Sequence, residues 1–394
     1  FNLAPIGTGP YQMEALTASE GRIDGIQLRV APVYRQRPEG AEGFALDRII
    51  FRTYPTLQDA LDAYQRGEVN SISTIPKEAQ TIAQQLPSLS LYTAFEPHVG
   101  VLIYNWKRDA VSFIRNQRVR LALAHAVDIP AVVNKNLAGW AIPADSPLVP
   151  NSWAYVPGLD RPAYDLARAQ ELMNTANLEF ESSATEEPTP AATTEATQDA
   201  TEEASGQATA EATAEVTAEV TESAPVPTSL SLTILTLDDP ALVALANDIA
   251  ASWQQIGFTM TVEAVDATTL QTRLEMGDFD AAIVELGFEP SADPDPYVFW
   301  HQGQYQTGQN FGGMDDRRVS EALEMARREP YGINRVVHYR RFQELFLERA
   351  PALVLYYPLY TYAVDSRIQG IQLGFLSSLA DRFRTLQDWS FTDS

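Results

Sequence analysis

Cysteine is absent from the 394-residue sequence, and its absence removes several kinds of chemistry at once. A chain without thiols forms no disulfide bonds, offers no thiolate nucleophile and binds no zinc through sulfur. The compartment is left open, because cytosolic proteins and cell-envelope proteins both occur without cysteine.

Basic residues are scarce relative to acidic ones. Lys and Arg total 28 against 52 Asp and Glu, which gives a formal net charge of −24 at pH 7. Such a charge repels nucleic-acid phosphates and anionic membrane surfaces. Nucleic acid is therefore not an expected partner.

Long apolar runs are also missing. The nearest candidate, residues 351–364, is interrupted by Pro358 and is too short to cross a bilayer, so it is predicted to be a buried strand. The sequence begins with Phe1 and shows no charged-then-apolar leader. We expect either a removed signal peptide or a missing N-terminal portion.

Recognisable catalytic motifs are lacking as well. The four histidines are far apart, no G-x-S-x-G motif occurs, and Gly7 and Gly9 lack the rest of a nucleotide-binding loop. Asp293 and Asp295 match a glycosidase-like carboxylate pair, although turns and helix caps are commoner roles for such residues. The sequence predicts a protein that is not an enzyme and needs no cofactor or metal.

Residues 181–228 differ from the rest of the chain in composition. They contain 12 Ala, 11 Thr and 11 acidic residues, with no aromatic residue, Leu, Ile, Met, Lys or Arg. Such a segment cannot bury enough apolar surface to offset the entropy lost on ordering. We predict a disordered acidic insertion, with an O-glycosylated Thr-rich spacer as the alternative.

The segment after the insertion has alternating strand and helix signals. Asp239 followed by Pro240 is typical of a helix start, and Gly257 and Gly277 are typical of helix ends. The pattern predicts strand, helix, strand, helix and strand over residues 229–237, 240–256, 258–264, 268–276 and 279–288. This order is typical of an α/β domain.

The remaining segments are predicted with less detail. Three helices precede the insertion, with Asp128 and Asp165 as caps, at 118–127, 128–137 and 165–176. A loop at 139–157 carries Trp140 and Trp153 without any period. The first hundred residues are predicted to be rich in strand, with one helix at 57–66 and strands at 47–54 and 89–95. A helix follows Arg335 as far as Arg349, and an extended segment covers 352–362.

The position of one loop suggests a binding site. Ligands of open α/β sheets bind beyond the carboxyl ends of the strands. The predicted strand 279–288 leads directly into residues 291–297, which contain Asp293. This loop is the first candidate for a ligand cleft, and His301 and Asn310 downstream are weaker candidates.

Eight short segments, in a fixed order over nearly the whole chain outside the insertion, resemble those of the family 5 extracellular solute-binding proteins of ABC transporters. These segments are PIGTGPY (5–11), GEVNSI (67–72), RVRLALAHAVD (118–128), YDLARAQELMNTANL (164–178), GDFDA (277–281), DPDPY (293–297), GQNFGG (308–313) and APALVLY (350–356). Members of that family bind peptides, nickel complexes or oligosaccharides.

The resemblance implies an α/β fold of the periplasmic-binding-protein type, with two lobes and a hinge that the chain crosses twice. It places lobe I at 1–95 and 363–394, the crossings at 96–104 and 353–362, and lobe II at 105–352 with the insertion at 181–228. Family members have well over a hundred residues before the PIGTGPY-like segment. Lobe I is therefore expected to be incomplete here.

The resemblance also implies a function and a site. We expect an extracytoplasmic substrate-binding protein of an ABC importer, periplasmic or anchored to the envelope, that closes on a solute and delivers it to the permease. The residues expected to line the cleft are Tyr104, Asn105, Trp140, Trp153, Phe288, Glu289, Asp293, Asn310 and Tyr357. A monomer is expected, with membrane association only through a lipid anchor that this chain does not carry.

One motif of the family that bears on the ligand class is changed here. Peptide-binding members carry Trp-x-x-Asp after the strand that matches 279–288, and the Asp binds the amino terminus of the peptide. The matching positions here are Gly287 and Pro290, with Glu289 adjacent. Peptide is the first expected ligand, and an oligosaccharide or a nickel complex is the alternative. A sensory binding protein for a membrane receptor and, less favoured, a carbohydrate-active enzyme are the alternative functions.

Overall fold

The computed structural model describes residues 9–19, 21–35, 44–176, 178, 230–288, 293–330 and 332–392. The predicted insertion at 181–228 and the predicted site residue Glu289 lie outside the described residues. Everything below concerns the described ranges.

Strands supply the framework of the fold. In chain order they are β1 (Tyr11–Ser19), β2 (Arg22–Val30), β3 (Arg48–Arg52), β4 (Ser71–Ile72), β5 (Leu89–Phe95), β6 (His98–Tyr104), β7 (Ala141–Pro143), β8 (Ser231–Leu237), β9 (Thr259–Val265), β10 (Ala281–Gly287), β11 (Ala352–Asp365), β12 (Ile368–Gln369) and β13 (Ser390–Phe391).

Helices lie between the strands. They are α1 (Pro32–Arg35), α2 (Leu57–Gln65), α3 (Lys77–Gln84), α4 (Gln117–His125), α5 (Ile129–Asn136), α6 (Leu166–Asn174), α7 (Pro240–Gln254), α8 (Ala267–Met276), α9 (Tyr297–Trp300), α10 (Arg317–Arg328) and α11 (Gly332–Arg349). Short 3₁₀ turns occur at Asp109–Arg115, Gln302–Gln304, Leu379–Phe383 and Leu386–Asp388.

The predicted helix starts are confirmed by their caps. The side chain of Asp239 accepts hydrogen bonds from the backbone N–H groups of Ala241 and Leu242, and Pro240 occupies the first turn, where its missing N–H is not needed. Asp128 and Asp165 cap α5 and α6 in the same way. Gly277 ends α8 in the left-handed conformation, at φ +66°, which glycine adopts without a Cβ penalty.

One long strand connects two halves of the molecule. The main sheet has the order β4-β11-β6-β10-β8-β9, and β5 and β7 also pair with β11. The first half of β11 pairs with β6 and β7, and its second half pairs with β5 and β4. A three-stranded antiparallel sheet, β1-β2-β3, and the β12-β13 pair complete the described strands.

The sheet of the larger half is covered on both faces. The first face of the sheet carries Ile234, Ile283 and Leu102 and packs against α4, α5, α6 and α7, with Trp253 fully buried. The second face carries Leu235, Ala282 and Val284 and packs against α8, α10 and α11. Such a helix–sheet–helix layering is the α/β architecture that the strand and helix order predicted.

Several segments differ from the prediction. The helix predicted to follow Arg335 begins three residues before it, at Gly332, and the helices α3 and α10 were not predicted. The helix α3 is short, and its buried residues are two alanines, Ala79 and Ala83, which give a weak apolar period in the sequence.

Candidate functional site

The carboxyl ends of the parallel strands open at the place where the chain passes between the two halves. Strand β10 runs parallel to β8 and antiparallel to β6, so Gly287 at its end lies opposite His98 at the start of β6. The backbone N–H of Phe288 donates to the carbonyl of Pro97 at 2.8 Å, and that of Glu96 donates to the carbonyl of Pro358 at 3.0 Å. The end of β10, which precedes the loop predicted as the cleft, therefore adjoins the segment 96–98, and that segment adjoins Pro358 of β11.

The first face of the sheet ends in a row of aromatic and acidic side chains. The ring of Tyr356, on β11, lies across Gly100 of β6, where a Cβ would be only 2.3 Å from the ring. The Tyr356 hydroxyl donates to Oε1 of Glu285 on β10 at 2.9 Å. Burial raises the pKa of Tyr356 well above its usual value, and the Glu285 carboxylate adds to the effect, so the phenol stays protonated and remains a donor.

A second glycine on this face is covered in the same manner. The His98 ring lies over Gly287, where a Cβ would be 2.9 Å from Nε2 of the imidazole. Nδ1 of His98 is 3.7 Å from a carboxylate oxygen of Glu96. Glu285, which pairs with Gly100 and lies two residues before Gly287 on β10, is exposed. The end of the first face therefore presents a carboxylate bordered by two rings.

Trp140 extends this row towards the other half of the molecule. Its ring meets that of Tyr356 edge to face, with centroids 5.8 Å apart. The ammonium of Lys77, at the start of α3, lies 5.0 Å from the Trp140 ring and donates to the carbonyl of Asn136 at 3.1 Å. A cation at the carboxyl end of α5 is favourable, since the last helical carbonyls carry partial negative charge. Trp140 is therefore one of the predicted site residues at which the two halves touch.

The second face ends in an ion pair beside an aromatic pair. Arg335, on α11, donates from two nitrogens to Asp293, at 2.7 and 3.0 Å, and also donates to the hydroxyl of Tyr339 at 2.7 Å. Its guanidinium lies 5.1 Å from the ring of Trp153, which packs 5.5 Å from Tyr339 and is 38% exposed. Burial raises the pKa of Tyr339, with Asp295 and Asp293 contributing. The structure thus brings together two predicted residues, Asp293 and Trp153, through an arginine.

Both carboxylates of the predicted glycosidase-like pair are held by arginines. Asp293 pairs with Arg335, and Asp295 pairs with Arg327 at 2.6 Å. The guanidinium of Arg327 also lies 3.7 Å from the ring of Tyr297, which stacks on His301 at 4.1 Å. This arrangement is a set of ion pairs and ring contacts. Oδ1 of Asp295 also accepts from the N–H of Tyr297 at 3.1 Å, which is a turn role of the kind expected.

Four predicted site residues lie in the interior with their polar groups engaged or enclosed. The Asn105 amide donates to the carbonyls of Gly277 and Phe279, both at 2.9 Å. The Asn310 amide donates to the carbonyls of His301 and Met314. Tyr104 is 1% exposed and packs against Trp253. The hydroxyl of Tyr357 has partners in Asp145, Ser146 and Leu148.

Phe288 takes an intermediate position. It follows β10 directly but is buried on the second face, where its ring meets Phe299 edge to face at 5.5 Å. Together with the interior four, it forms the support beneath the strand ends, whereas Trp140, Trp153 and Asp293 lie nearer the surface.

Sequence reasoning missed five residues of this region: Lys77, His98, Glu285, Arg335 and Tyr356. Glu285 had a detectable signal, because it is the one charged residue in the otherwise apolar strand Ala281–Gly287. The others had none, since their roles depend on contacts between segments far apart in sequence.

Comparison with known proteins identifies the family. A family model described as bacterial extracellular solute-binding proteins, family 5, middle region, matches residues 1–309. The chain belongs to this family. No helix among the described residues is long and apolar enough to cross a membrane. In the same ranges, no group of three or more His, Asp and Glu side chains is placed to hold a metal ion.

Curated relatives include binding proteins for different ligands. The oligopeptide-binding protein AppA of Bacillus subtilis is 20% identical over 371 residues, which cover 93% of this chain and 59% of AppA. The glutathione-binding protein GsiB of Escherichia coli is 27% identical over 177 residues, which cover 44% of this chain and 31% of GsiB. The family 5 chain thus spans little more than half the length of AppA.

Solved structures agree on the fold. HbpA2 from Haemophilus parasuis matches 99% of this chain and 65% of its own, with a TM-score of 0.71 and 18% identity. NikZ from Campylobacter jejuni, in complex with Ni(L-His), matches 99% of this chain and 69% of its own, with a TM-score of 0.62 and 19% identity. The predicted fold class, a two-lobe α/β architecture of the periplasmic-binding-protein type, is confirmed.

Proposed function

We propose that this family 5 chain is the substrate-binding component of an ABC importer, acting outside the cytoplasmic membrane. It captures a small solute between two lobes and delivers it to the membrane permease, without catalysis. A peptide is the first candidate ligand, and an oligosaccharide or a nickel complex is the alternative. The observation that carries the proposal is the row of exposed and half-buried side chains at the carboxyl end of β10. This end of the strand lies next to the two segments, 96–104 and 353–362, in which the chain crosses between the halves.

The proposed lobes follow the two halves of β11. Lobe I comprises 1–95 and 363–394, lobe II comprises 105–352, and the hinge crossings lie at 96–104 and 353–362. The contact of Lys77 with Asn136 and Trp140 supports this division, because it joins α3 on one side to α5 and β7 on the other. A ligand that touches both sides stabilises the closed arrangement by its difference in affinity for the two states.

The proposed ligand contacts are the accessible members of the predicted set, Trp140, Trp153 and Asp293, together with Glu285 and Arg335. Glu285 offers a carboxylate to an ammonium group or to sugar hydroxyls, and the Trp140 ring offers a stacking surface. Arg335 can donate to a carboxylate of the ligand if one of its two hydrogen bonds to Asp293 breaks. Tyr104, Asn105, Phe288, Asn310 and Tyr357 are proposed as the support that positions these groups. Glu289 stays a prediction.

Native mass spectrometry of the full gene product, purified from its host, tests the proposal directly. A stoichiometric bound mass that is released on unfolding is expected, and its value distinguishes peptide, sugar and metal complex. A protein that remains unliganded against pooled peptides, oligosaccharides and nickel chelates would contradict the importer function. Turnover of a bound sugar, abolished in Asp293→Asn, would instead support the enzyme alternative.

A pair of glutamate variants tests the site once the ligand is identified. In Glu285→Gln, affinity is expected to fall about tenfold or more, since hydrogen bonds to charged groups contribute about 1.5–3 kcal/mol. The matched control is Glu275→Gln, because Glu275 lies on α8 at the opposite end of the α/β layer, before β10 begins. Equal affinities for the two variants, measured by calorimetry, would remove Glu285 from the site.

A further inference from the structure

A pocket of about 220 Å³, open to solvent on the side of residues 161–164, lies in the larger half of the molecule, away from the strand ends just described. It is bordered by the turn between α4 and α5, the last turns of α11, the start of β11 and the segment 161–164. Most of its wall is aliphatic or aromatic, and Ala124, Val127, Leu347 and Leu353 are among the lining residues. None of the proposed cleft contacts lines it.

The wall formed by residues 161–164 is fixed on both sides. A guanidinium nitrogen of Arg161 donates to the carbonyl of Ala144 at 2.8 Å. Nδ1 of His125 lies 2.7 Å from the carbonyl oxygen of Ala163 and donates to it, and the N–H of Asp165 donates to the carbonyl of His125 at 2.8 Å. The cavity is therefore preformed, and a ligand does not have to order this wall on binding.

The charged groups that line the cavity favour neutral ligands over anions. They are Asp128, Asp145 and Arg161, with one more negative charge than positive. Asp128 already caps the N-terminus of α5, and Asp145 accepts hydrogen bonds from the hydroxyls of Tyr155 and Tyr357. Because both carboxylates already have hydrogen-bond partners within the protein, a ligand would be held mainly by contacts with the apolar wall.

We propose that this cavity is a second binding site, which takes one small, uncharged, apolar molecule of about the size of a single aromatic ring system. A volume of about 220 Å³ is too small for a helix or a peptide segment. For scale, an enclosed apolar cavity of about 150 Å³ in another protein binds benzene or xenon, and the pocket here has room for a ligand of that size with one side open for entry. This inference does not depend on the proposed importer function, because it uses neither the cleft nor its ligand.

Titration calorimetry with indole as the probe, on the full-length protein, tests this site. Saturable binding with a stoichiometry of one is expected. In Ala124→Phe, which places a ring in the space that indole would take, binding is expected to weaken more than tenfold. The matched control is Val33→Phe, since Val33 is 74% exposed on α1 and lies outside the cavity wall. The control should bind indole like the unchanged protein.

A second variant and a second probe keep the test decisive if Ala124→Phe folds poorly. Leu347→Phe fills part of the same space from α11, and xenon under pressure marks apolar cavities in crystals. Xenon density between α4 and α11, together with weakened indole binding in Leu347→Phe, supports the site. Absence of both indole binding and xenon density, or indole binding that is unchanged in a folded cavity-filling variant, overturns it.

Discussion

The two faces of the main sheet end differently at the same edge. On the second face, the polar groups near the strand ends are linked to one another: Gln343 and the hydroxyl of Tyr357 each have several buried partners. On the first face, Tyr356 reaches a single exposed carboxylate, that of Glu285. Tyr356 and Tyr357 are neighbours on β11. Tyr357 belongs to a closed network, in which the polar groups bond to buried partners, and Tyr356 to an open one, in which the partner is exposed. On the first face, the exposed carboxylate of Glu285 therefore keeps room for a further hydrogen-bond partner.

The largest effect is expected when the closed network is cut at its centre. Gln343 is fully buried, accepts from Ser146 and Val156, and donates to the carbonyls of Ala154 and Tyr339. In Gln343→Leu several buried groups lose their partners, and each costs about 1–3 kcal/mol. We expect the free energy of unfolding in urea to fall by about 4 kcal/mol.

The control for this variant is Gln271→Leu, because Gln271 lies on the exposed side of α8, where its side chain donates to Glu275. It should change stability by less than about 0.5 kcal/mol. Similar losses in the two glutamine variants would show that the network on the second face contributes no special stability.

The next effect concerns the ring that covers Gly100. In Gly100→Ala, the new methyl group would lie 2.3 Å from the Tyr356 ring, so the ring must move. Overpacking of this kind costs about 2 kcal/mol, measured as loss of unfolding free energy in urea. In a Tyr356→Leu background the same change should cost much less. Additive losses in the double variant would show that the clash is not the cause.

The neighbouring tyrosines make the comparison sharper. Tyr357→Phe removes the acceptor of the buried Ser146 N–H and a donor to Asp145, and is expected to destabilise the protein by about 2 kcal/mol. Tyr356→Phe frees the exposed Glu285, which water can solvate, and should cost less than about 1 kcal/mol. Urea unfolding of both variants measures the difference. Equal costs would contradict the distinction between a closed and an open face.

The smallest expected effect is a dependence of stability on pH. The hydrogen bond from Arg317, followed by that from His301, lowers the pKa of Glu324 on α10 to about 2. A carboxylate whose pKa is lower in the folded state stabilises the protein above its unfolded value, 4.5, and this contribution is lost as the pH falls towards 2. Urea midpoints between pH 6 and pH 2.5 should fall less steeply for Glu324→Gln. Parallel curves would show that this pair contributes nothing.

The fold was predictable where local signals and the chain order agreed. Asp239 and Pro240 mark the start of α7, and Gly277 marks the end of α8, because caps and left-handed turns depend on one or two residues. The strand at residues 89–95 is confirmed with its bounds. By contrast, α3 was missed, since a short helix held by tertiary contacts has a weak period.

The sequence led to a position for the candidate site, but not to most of the residues that meet there. The rule that ligands bind beyond the strand ends led to Asp293, which pairs with Arg335 in the structure and stays a predicted site residue. The partner of Asp293 is 42 residues away in Arg335, and the ring over Gly100 comes from Tyr356 on another strand. No local pattern encodes such contacts, because they arise only when β6, β10 and β11 pair.

The proline in the middle of β11 has a consequence for how the two halves can be observed. Pro358 carries no amide hydrogen, and it separates residues paired with β6 from residues paired with β5. In hydrogen–deuterium exchange, the amides of residues 352–354 are expected to report the opening of the pairing with β6, and those of residues 361–363 the opening of the pairing with β5. The protection factors on the two sides of a single strand provide separate local stabilities for the two halves of the molecule.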